Sequence, residues 1–419
     1  MSTLAAAEAR GRRGVDRRDV AVLRSAEMQS ERGATRCLRG GAGRRLALCA
    51  AALLGACAPV RYGTESRPGA LEDAPRGDDL ASLDMQATSD DVVGDSVSCS
   101  GGKRLCGGSC VDTRTSIQHC GRCDIACPVV GAGTTICADS RCMSLRQRSC
   151  ATTMEQGCGM VPVYGGTFAM GQAEVAVMAS PPQPSTTVQN FALDAFEVTV
   201  ARFRRWVAAG RPVPNGPVVY RGGTLPFEGT VNTDTELNCD DTKANYPRRD
   251  RENHPINCVN WATAQAFCVW DGGRLPTQVE WEFAARGSSE SPRNYPWGSA
   301  APDDALTCWS GSELVRETTC PVGMFRPGAV NGIHDLAGNV YEWNADWYAT
   351  YRLSGTGCWS ASGTRNALCV DRTLGSRVVR GGGFRAPAER PAFLAASRYP
   401  SMPSGYFDDL GFRCARDIP

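Results

Sequence analysis

Histidine is scarce in this 419-residue chain: His119, His254 and His334 are the whole set, and no H-x-x-x-H or H-E-x-x-H spacing joins them. A structural role for the histidines is therefore favoured over a histidine-built zinc site of hydrolase type. No G-x-S-x-G, Walker or G-x-G-x-x-G string occurs, which removes the nucleophile elbow and the phosphate and dinucleotide loops. The apolar run after Arg45, LALCAAALLGA, has about eleven residues, too few to cross a bilayer as a mature helix. Cysteine is abundant, at 21 residues, yet absent between Cys369 and Cys414, so the glycine-rich stretch VVRGGGFRAPAERPAFLAASRYP (378–400) carries no thiol. The net charge of +1 conceals eleven arginines in the first 45 residues and mostly acidic charges over 58–98. No nucleic-acid surface is implied, because the basic run lies in a segment that reads as removed. The length asks for two or three units, and 42% hydrophobic residues allow at least one sizeable core.

Arg44 and Arg45 followed by a short apolar run have the pattern of a secretory signal, with Met28 as an alternative start. The run ends in Leu54-Gly55-Ala56-Cys57, which resembles the lipobox of bacterial lipoproteins. Residues 1–57 are then a signal sequence, with Cys57 the lipidated residue and the membrane reached through acyl chains. Ala58 in place of an aspartate favours the outer membrane or cell surface, with the periplasm as the other address. Residues 58–98 lack hydrophobic periodicity and read as a flexible acidic linker.

Ten cysteines fall within 99–158: Cys99, Cys106, Cys110, Cys120, Cys123, Cys127, Cys137, Cys142, Cys150 and Cys158. An even number in an exported segment with almost no aliphatic core predicts up to five disulfides. The competing reading is a metal cluster, since Cys120-x2-Cys123-x3-Cys127 beside His119 has ligand-like spacing. The run LCGGSCVDTRTSIQHCGRCDIACP is similar to the small modules of stigma-specific type, which implies binding or spacing.

Residues 159–419 hold all nine tryptophans and have the composition of a folded domain. VPVYGGTFAMG alternates like a strand with a glycine turn, VTVARFRRWVAAG has helical spacing up to Gly210, and WATAQAFCVWDGG predicts a second helix with Trp261, Ala264 or Gln265, and Cys268 on one face. Strands and helices interleave without a βαβ rhythm, so the fold class is α+β with long loops.

Six motifs follow in order: GGTFAMG (165–171), HPINCVNWATAQAFCVWDGGRLPTQVEWEFAARG (254–287), YPWG (295–298), NGIHDLAGNVYEWNADWY (331–348), VVRGGGF (378–384) and LGFRCA (410–415). Together they resemble the formylglycine-generating enzyme family, also called sulfatase-modifying factor. The resemblance implies a C-type-lectin-like α+β fold with little regular secondary structure. Active members oxidise a sulfatase cysteine to formylglycine with oxygen and copper(I), held by two thiolates because soft sulfur selects a soft ion. Here Ala386 and Pro391 stand near the two ligand positions, so copper is not expected. A further family bridge is missing too, one of its positions falling at Ala285.

The resemblance pairs Cys268 with Cys414, a closure that contributes about 4–5 kcal/mol on a chain-entropy basis. Of the fifteen pairings open to the other six cysteines, the local set 239 with 258, 308 with 320 and 358 with 369 is the expectation. Asp335, Gly338, Val340 and Glu342 match a family calcium loop of two carboxylates and two backbone carbonyls. A second family calcium site is expected to be lost, because Leu306 and Leu314 fall near its ligand positions. His254 and His334 read as structural, and Gly381-Gly382-Gly383 as a turn of unusual φ. The function expected is an exported lipoprotein whose domain binds a peptide or glycan without oxidising it, with Arg385, Arg390, Arg398, Trp343 and Trp347 as groove candidates. The alternative is a formylglycine-generating oxidase.

Overall fold

The computed structural model describes residues 98–128, 134–152, 155–172, 183–240, 242–288, 292–311, 316–351, 358–359, 364–386 and 391–419. Cys57, residues 58–97 of the acidic linker, and Arg390 lie outside the described residues. In chain order come β1 (Arg104–Cys106), β2 (Ser109–Val111), β3 (Thr134–Ala138), β4 (Arg141–Leu145), β5 (Met160–Val163), β6 (Gly166–Met170), β7 (Gln183–Val188) and β8 (Phe191–Asp194). Helix α1 (Val200–Ala208), the hairpin of β9 (Val218–Tyr220) and β10 (Gly223–Leu225), and helices α2 (Trp261–Trp270) and α3 (Gln278–Arg286) follow. The C-terminal half contributes β11 (Tyr341–Trp347), β12 (Thr364–Arg365), β13 (Arg377–Arg380), β14 (Tyr399–Ser401), β15 (Leu410–Gly411) and β16 (Ala415–Asp417). Three sheets organise the domain, in the orders β14-β13-β11-β15, β16-β8-β5 and β12-β7-β6. This is the α+β class expected, with few helices and long connections.

Local chemistry explains the helices. Thr199 caps α1 through its side chain, Gly210 takes φ 85° just after it, and Val200, Phe203 and Trp206 line the buried face. Asn260 caps α2. A single apolar face was expected for that helix, but every residue from Trp261 to Cys268 is buried, because other parts of the chain cover it on all sides. Helix α3 opens with a reciprocal capping box between Thr277 and Glu280. The main core gathers Trp206, Trp261, Phe267, Trp343 and Phe412 around the Cys268–Cys414 disulfide.

The cysteine-rich residues form five disulfides: Cys99–Cys110, Cys106–Cys123, Cys120–Cys137, Cys127–Cys142 and Cys150–Cys158. This overturns the metal reading of Cys120, Cys123 and Cys127, whose sulfurs each belong to a different covalent pair. His119 instead accepts the Asp124 amide at 2.9 Å. The module and the domain pack as one compact unit. Ile136, Ala138 and Leu145 of the β3–β4 hairpin share an apolar cluster with Met160, Ala192 and Ile418.

Arg202 of α1 locks this seam. Fully buried, it pairs with Asp194 at 3.0 Å and Asp271 at 2.8 Å, and it donates to the Ser149 hydroxyl at 2.8 Å and the Gly157 carbonyl at 3.2 Å. Removing one member of a buried ion group strands the others without compensation. Arg202→Ala is therefore expected to lower unfolding free energy by about 3–5 kcal/mol. Denaturant titration reads the loss, and limited proteolysis should open 147–158 first.

Candidate functional site

Strand β13 runs into the triple-glycine turn. Gly381 and Gly382 take φ of 93° and 75°, a region that disfavours side chains. A Cβ on Gly382 would meet the Phe393 ring at 3.0 Å, and one on Gly383 would meet the Asp409 Cβ at 2.8 Å. The turn is thus glycine for close approach. It feeds Phe384, whose amide donates to the Asn339 carbonyl at 2.8 Å, and then Ala386, which closes back on the Gly383 carbonyl at 2.9 Å.

Ala386 is 5% exposed and packs with Trp309, Ala337, Ala392 and Phe393, with Tyr295, Trp297 and Tyr399 against them. Trp309 meets Phe393 edge-to-face at 5.8 Å. Pro391 begins the short 3-10 turn Pro391–Phe393, and its side is exposed. The domain's cysteines are joined as Cys239–Cys258, Cys268–Cys414, Cys308–Cys320 and Cys358–Cys369. Ala285 is fully buried among apolar residues. A soft copper(I) ion needs thiolates, and every cysteine of residues 159–419 is held in a disulfide, so the residues present do not fit that ion.

Beside the turn is a cleft of about 190 Å³ lined by Tyr341, Val379, Tyr399, Phe407, Asp409 and Leu410. All four strands of the β14-β13-β11-β15 sheet contribute to it. Tyr341 and Tyr399 meet edge-to-face at 5.7 Å, and Phe407 is 53% exposed at the rim. Burial, then the neighbouring Asp408, pushes the Asp409 carboxyl above its ordinary range. Half-exposed Arg385 pairs with Asp408 and lies 3.9 Å from Asp240. Sequence reasoning missed Tyr399, Phe407 and Asp409; the signal available was their place just before the LGFRC motif.

Among the proposed groove residues, Arg385 alone comes near this cleft, through its pair with Asp408 next to Asp409. Trp343 is fully buried and donates its indole N–H to the Val259 carbonyl at 2.8 Å. Trp347 stacks on the buried Arg377 guanidinium at 3.7 Å, with Trp261 on the cation at 3.8 Å. Arg398 is 1% exposed, donates to the Ala349 carbonyl at 2.6 Å and lies over the Tyr351 ring at 3.7 Å. The physical reason for Trp343 is that β11 is a central strand covered on both faces, whereas Trp347, at the strand's end, borders a separate cleft with Trp261, Arg377 and Pro403.

The loop from Asp335 to Glu342 lies behind the turn, tied to it by the Gly338 amide and the Gly381 carbonyl at 2.8 Å. Asp335, Gly338 and Asn339 all have positive φ, which coils the segment tightly. Glu342 accepts from Arg413 at 2.7 and 2.8 Å and from the Trp281 indole at 2.8 Å. Asp335 accepts the Gly323 amide at 2.6 Å, and burial raises its carboxyl to about 6. Glu197, absent from the sequence-derived set, accepts the Asn339 side chain at 2.6 Å and the Val340 amide at 3.2 Å. Burial, then Asp335 and Glu342, pushes its carboxyl well up. Three buried carboxyl groups thus interact with one buried guanidinium, and hard oxygens such as those of Asp335 and Glu342 are the donors a divalent cation such as calcium takes. His334 stacks on Phe196 at 4.8 Å and His254 contacts Thr319 at 2.9 Å, both structural roles.

Residues 147–418 match the family described as sulfatase-modifying factor enzyme 1-like domain. The formylglycine-generating enzyme of Mus musculus is 29% identical over 291 residues, covering 62% of this chain and 75% of its own. That of Thermomonospora curvata is 31% identical over 295 residues, covering 62% and 93%. A Bos taurus protein named inactive C-alpha-formylglycine-generating enzyme 2 is 30% identical over 290 residues, covering 62% and 88%. The solved structure of PvdO from Pseudomonas aeruginosa, 22% identical, aligns with a TM-score of 0.45 over 69% of this chain and 100% of its own. With its ordered motifs, its glycine turn and these relatives, the chain belongs to the sulfatase-modifying factor (formylglycine-generating enzyme-like) family.

Proposed function

We propose that this protein is an exported lipoprotein whose formylglycine-generating-enzyme-like domain binds a peptide or glycan without oxidising it. The observation that carries this reading is the packing of Ala386 against Trp309 and Phe393, with every thiol of the domain consumed in a disulfide. The position where chemistry would require a metal-bound thiolate is an apolar contact. What persists beside it is a cleft of about 190 Å³, the size for one side chain or sugar ring, with two tyrosine rings and a carboxylate. Aromatic faces pack against apolar groups, and Asp409 accepts hydrogen bonds from hydroxyl or ammonium donors. Arg385 supplies a charged rim.

The same reading places one calcium ion at Asp335, Glu342 and the carbonyls of Gly338 and Val340, with Glu197 shaping the loop through its hydrogen bonds. The ion would draw on these oxygens and stiffen the support of the glycine turn. Cys57 carries the lipid anchor.

Incubating the purified chain with copper(I), oxygen and a Cys-x-Pro-x-Arg peptide is expected to leave the peptide mass unchanged. Conversion of its thiol to an aldehyde would establish the oxidase alternative. Immobilised peptides and oligosaccharides should retain the protein, and Asp409→Asn should weaken retention by about tenfold, the loss of one charge-assisted hydrogen bond.

Calcium at a hundred times its dissociation constant should add about 2.7 kcal/mol of stability, read as a rise in Tm that a chelator reverses. Glu342→Gln should abolish that response. Cys57→Ser should move the protein from the membrane fraction to the soluble fraction of a bacterial expression host.

A further inference from the structure

Between α3 and β11, residues 302–325 contain no helix and no strand longer than an isolated bridge among those described. This irregular segment nonetheless builds the site. Trp309 is the wall against Ala386, and the Ser310 hydroxyl donates to the Phe384 carbonyl at 3.0 Å. Thr307 and Cys308 press so closely on the acidic loop that a Cβ on Gly338 would lie 1.9 Å from the Thr307 hydroxyl and 2.7 Å from the Cys308 carbonyl. Holding such positions without regular structure costs backbone entropy, which a short closure of the segment lowers.

The family resemblance offers a second calcium ion for that task, with ligands near Leu306 and Leu314. Leucines stand near both positions, and neither brings a side-chain oxygen to a hard cation. What the segment has is the Cys308–Cys320 disulfide, with Cα atoms 6.1 Å apart. It is buried in a cluster with Phe325 and Phe384. Both ends of the bridge are held by one residue of the acidic loop: the Asn339 amide donates to the Cys308 carbonyl at 2.8 Å, and its side chain accepts the Cys320 amide at 2.9 Å.

We infer that the Cys308–Cys320 disulfide does the work of that second ion, clipping the irregular segment so that Trp309, Phe384 and the acidic loop keep their positions at the turn. A covalent clip needs no ligand oxygens and works without calcium, which removes the demand for carboxylates here. The inference holds whichever ligand the cleft takes.

The Cys358–Cys369 bridge is a matched control, since its sequence separation of 11 is close to the 12 of Cys308–Cys320 and the loop-closure entropies are alike. Hydrogen exchange of the full chain is compared for wild type, C308A/C320A and C358A/C369A. Loss of the Cys308–Cys320 bridge should speed exchange about tenfold in 306–311, 316–320, 335–342 and 381–386, while loss of the control bridge leaves these segments unchanged. Equal exchange at 381–386 in both double variants would overturn the inference. Should C308A/C320A fail to fold, calcium stoichiometry of the oxidised wild type decides. Saturation at one equivalent or none supports the clip, and a second equivalent that protects 306–320 refutes it.

Discussion

The guanidinium of Arg413 is fully buried, and the charge it carries into the interior organises what surrounds it. It grips Glu342 through two hydrogen bonds and donates to the backbone carbonyls of Asp194 and His334. Desolvating an ion is expensive, and only near-complete pairing offsets it. That demand brings β8, the acidic loop and β11 to one point. The next residue, Cys414, is bonded to Cys268 of α2 and donates its amide to Asp194, which Arg202 also holds. Two adjacent residues near the C-terminus thereby tie the helices, two sheets and the cysteine-rich segment together.

On this scaffold the glycine turn is walled by apolar side chains. The turn's positive φ values and the close approach of Asp409 and Phe393 require glycine whether or not a metal is bound. Shape and chemistry are thus separable at this site. Trp309, Ala392 and Phe393 fill the space around Ala386, consistent with the close packing of protein interiors.

Much of the fold was legible. Helix α1 announced itself through Val200, Phe203 and Trp206, and the local pairs Cys239–Cys258, Cys308–Cys320 and Cys358–Cys369 formed as anticipated because short loops bring their ends together cheaply. The groove was less legible. Trp343 and Arg398 looked like surface readers, yet tryptophan in a strand covered on both faces has the same sequence signature as tryptophan at a rim. Arg398 and Arg377 are buried because aromatic rings and backbone carbonyls receive their charge, a partnership between residues far apart in the chain. Glu197 had no local motif to mark it.

The chain's order of residues alone determined which chemistry lacks its atoms: no sulfur stands at Ala386 or Pro391, and hard oxygens stand at Asp335 and Glu342. Composition at a position is a local property and needs no folding to be read. Only the tertiary structure decided that Glu197 joins that loop, that Asp409 lines a cleft with Tyr341 and Tyr399, and that the cysteine-rich segment packs on the domain. Those facts depend on burial and on contacts between distant segments, where desolvation and packing act across the whole molecule.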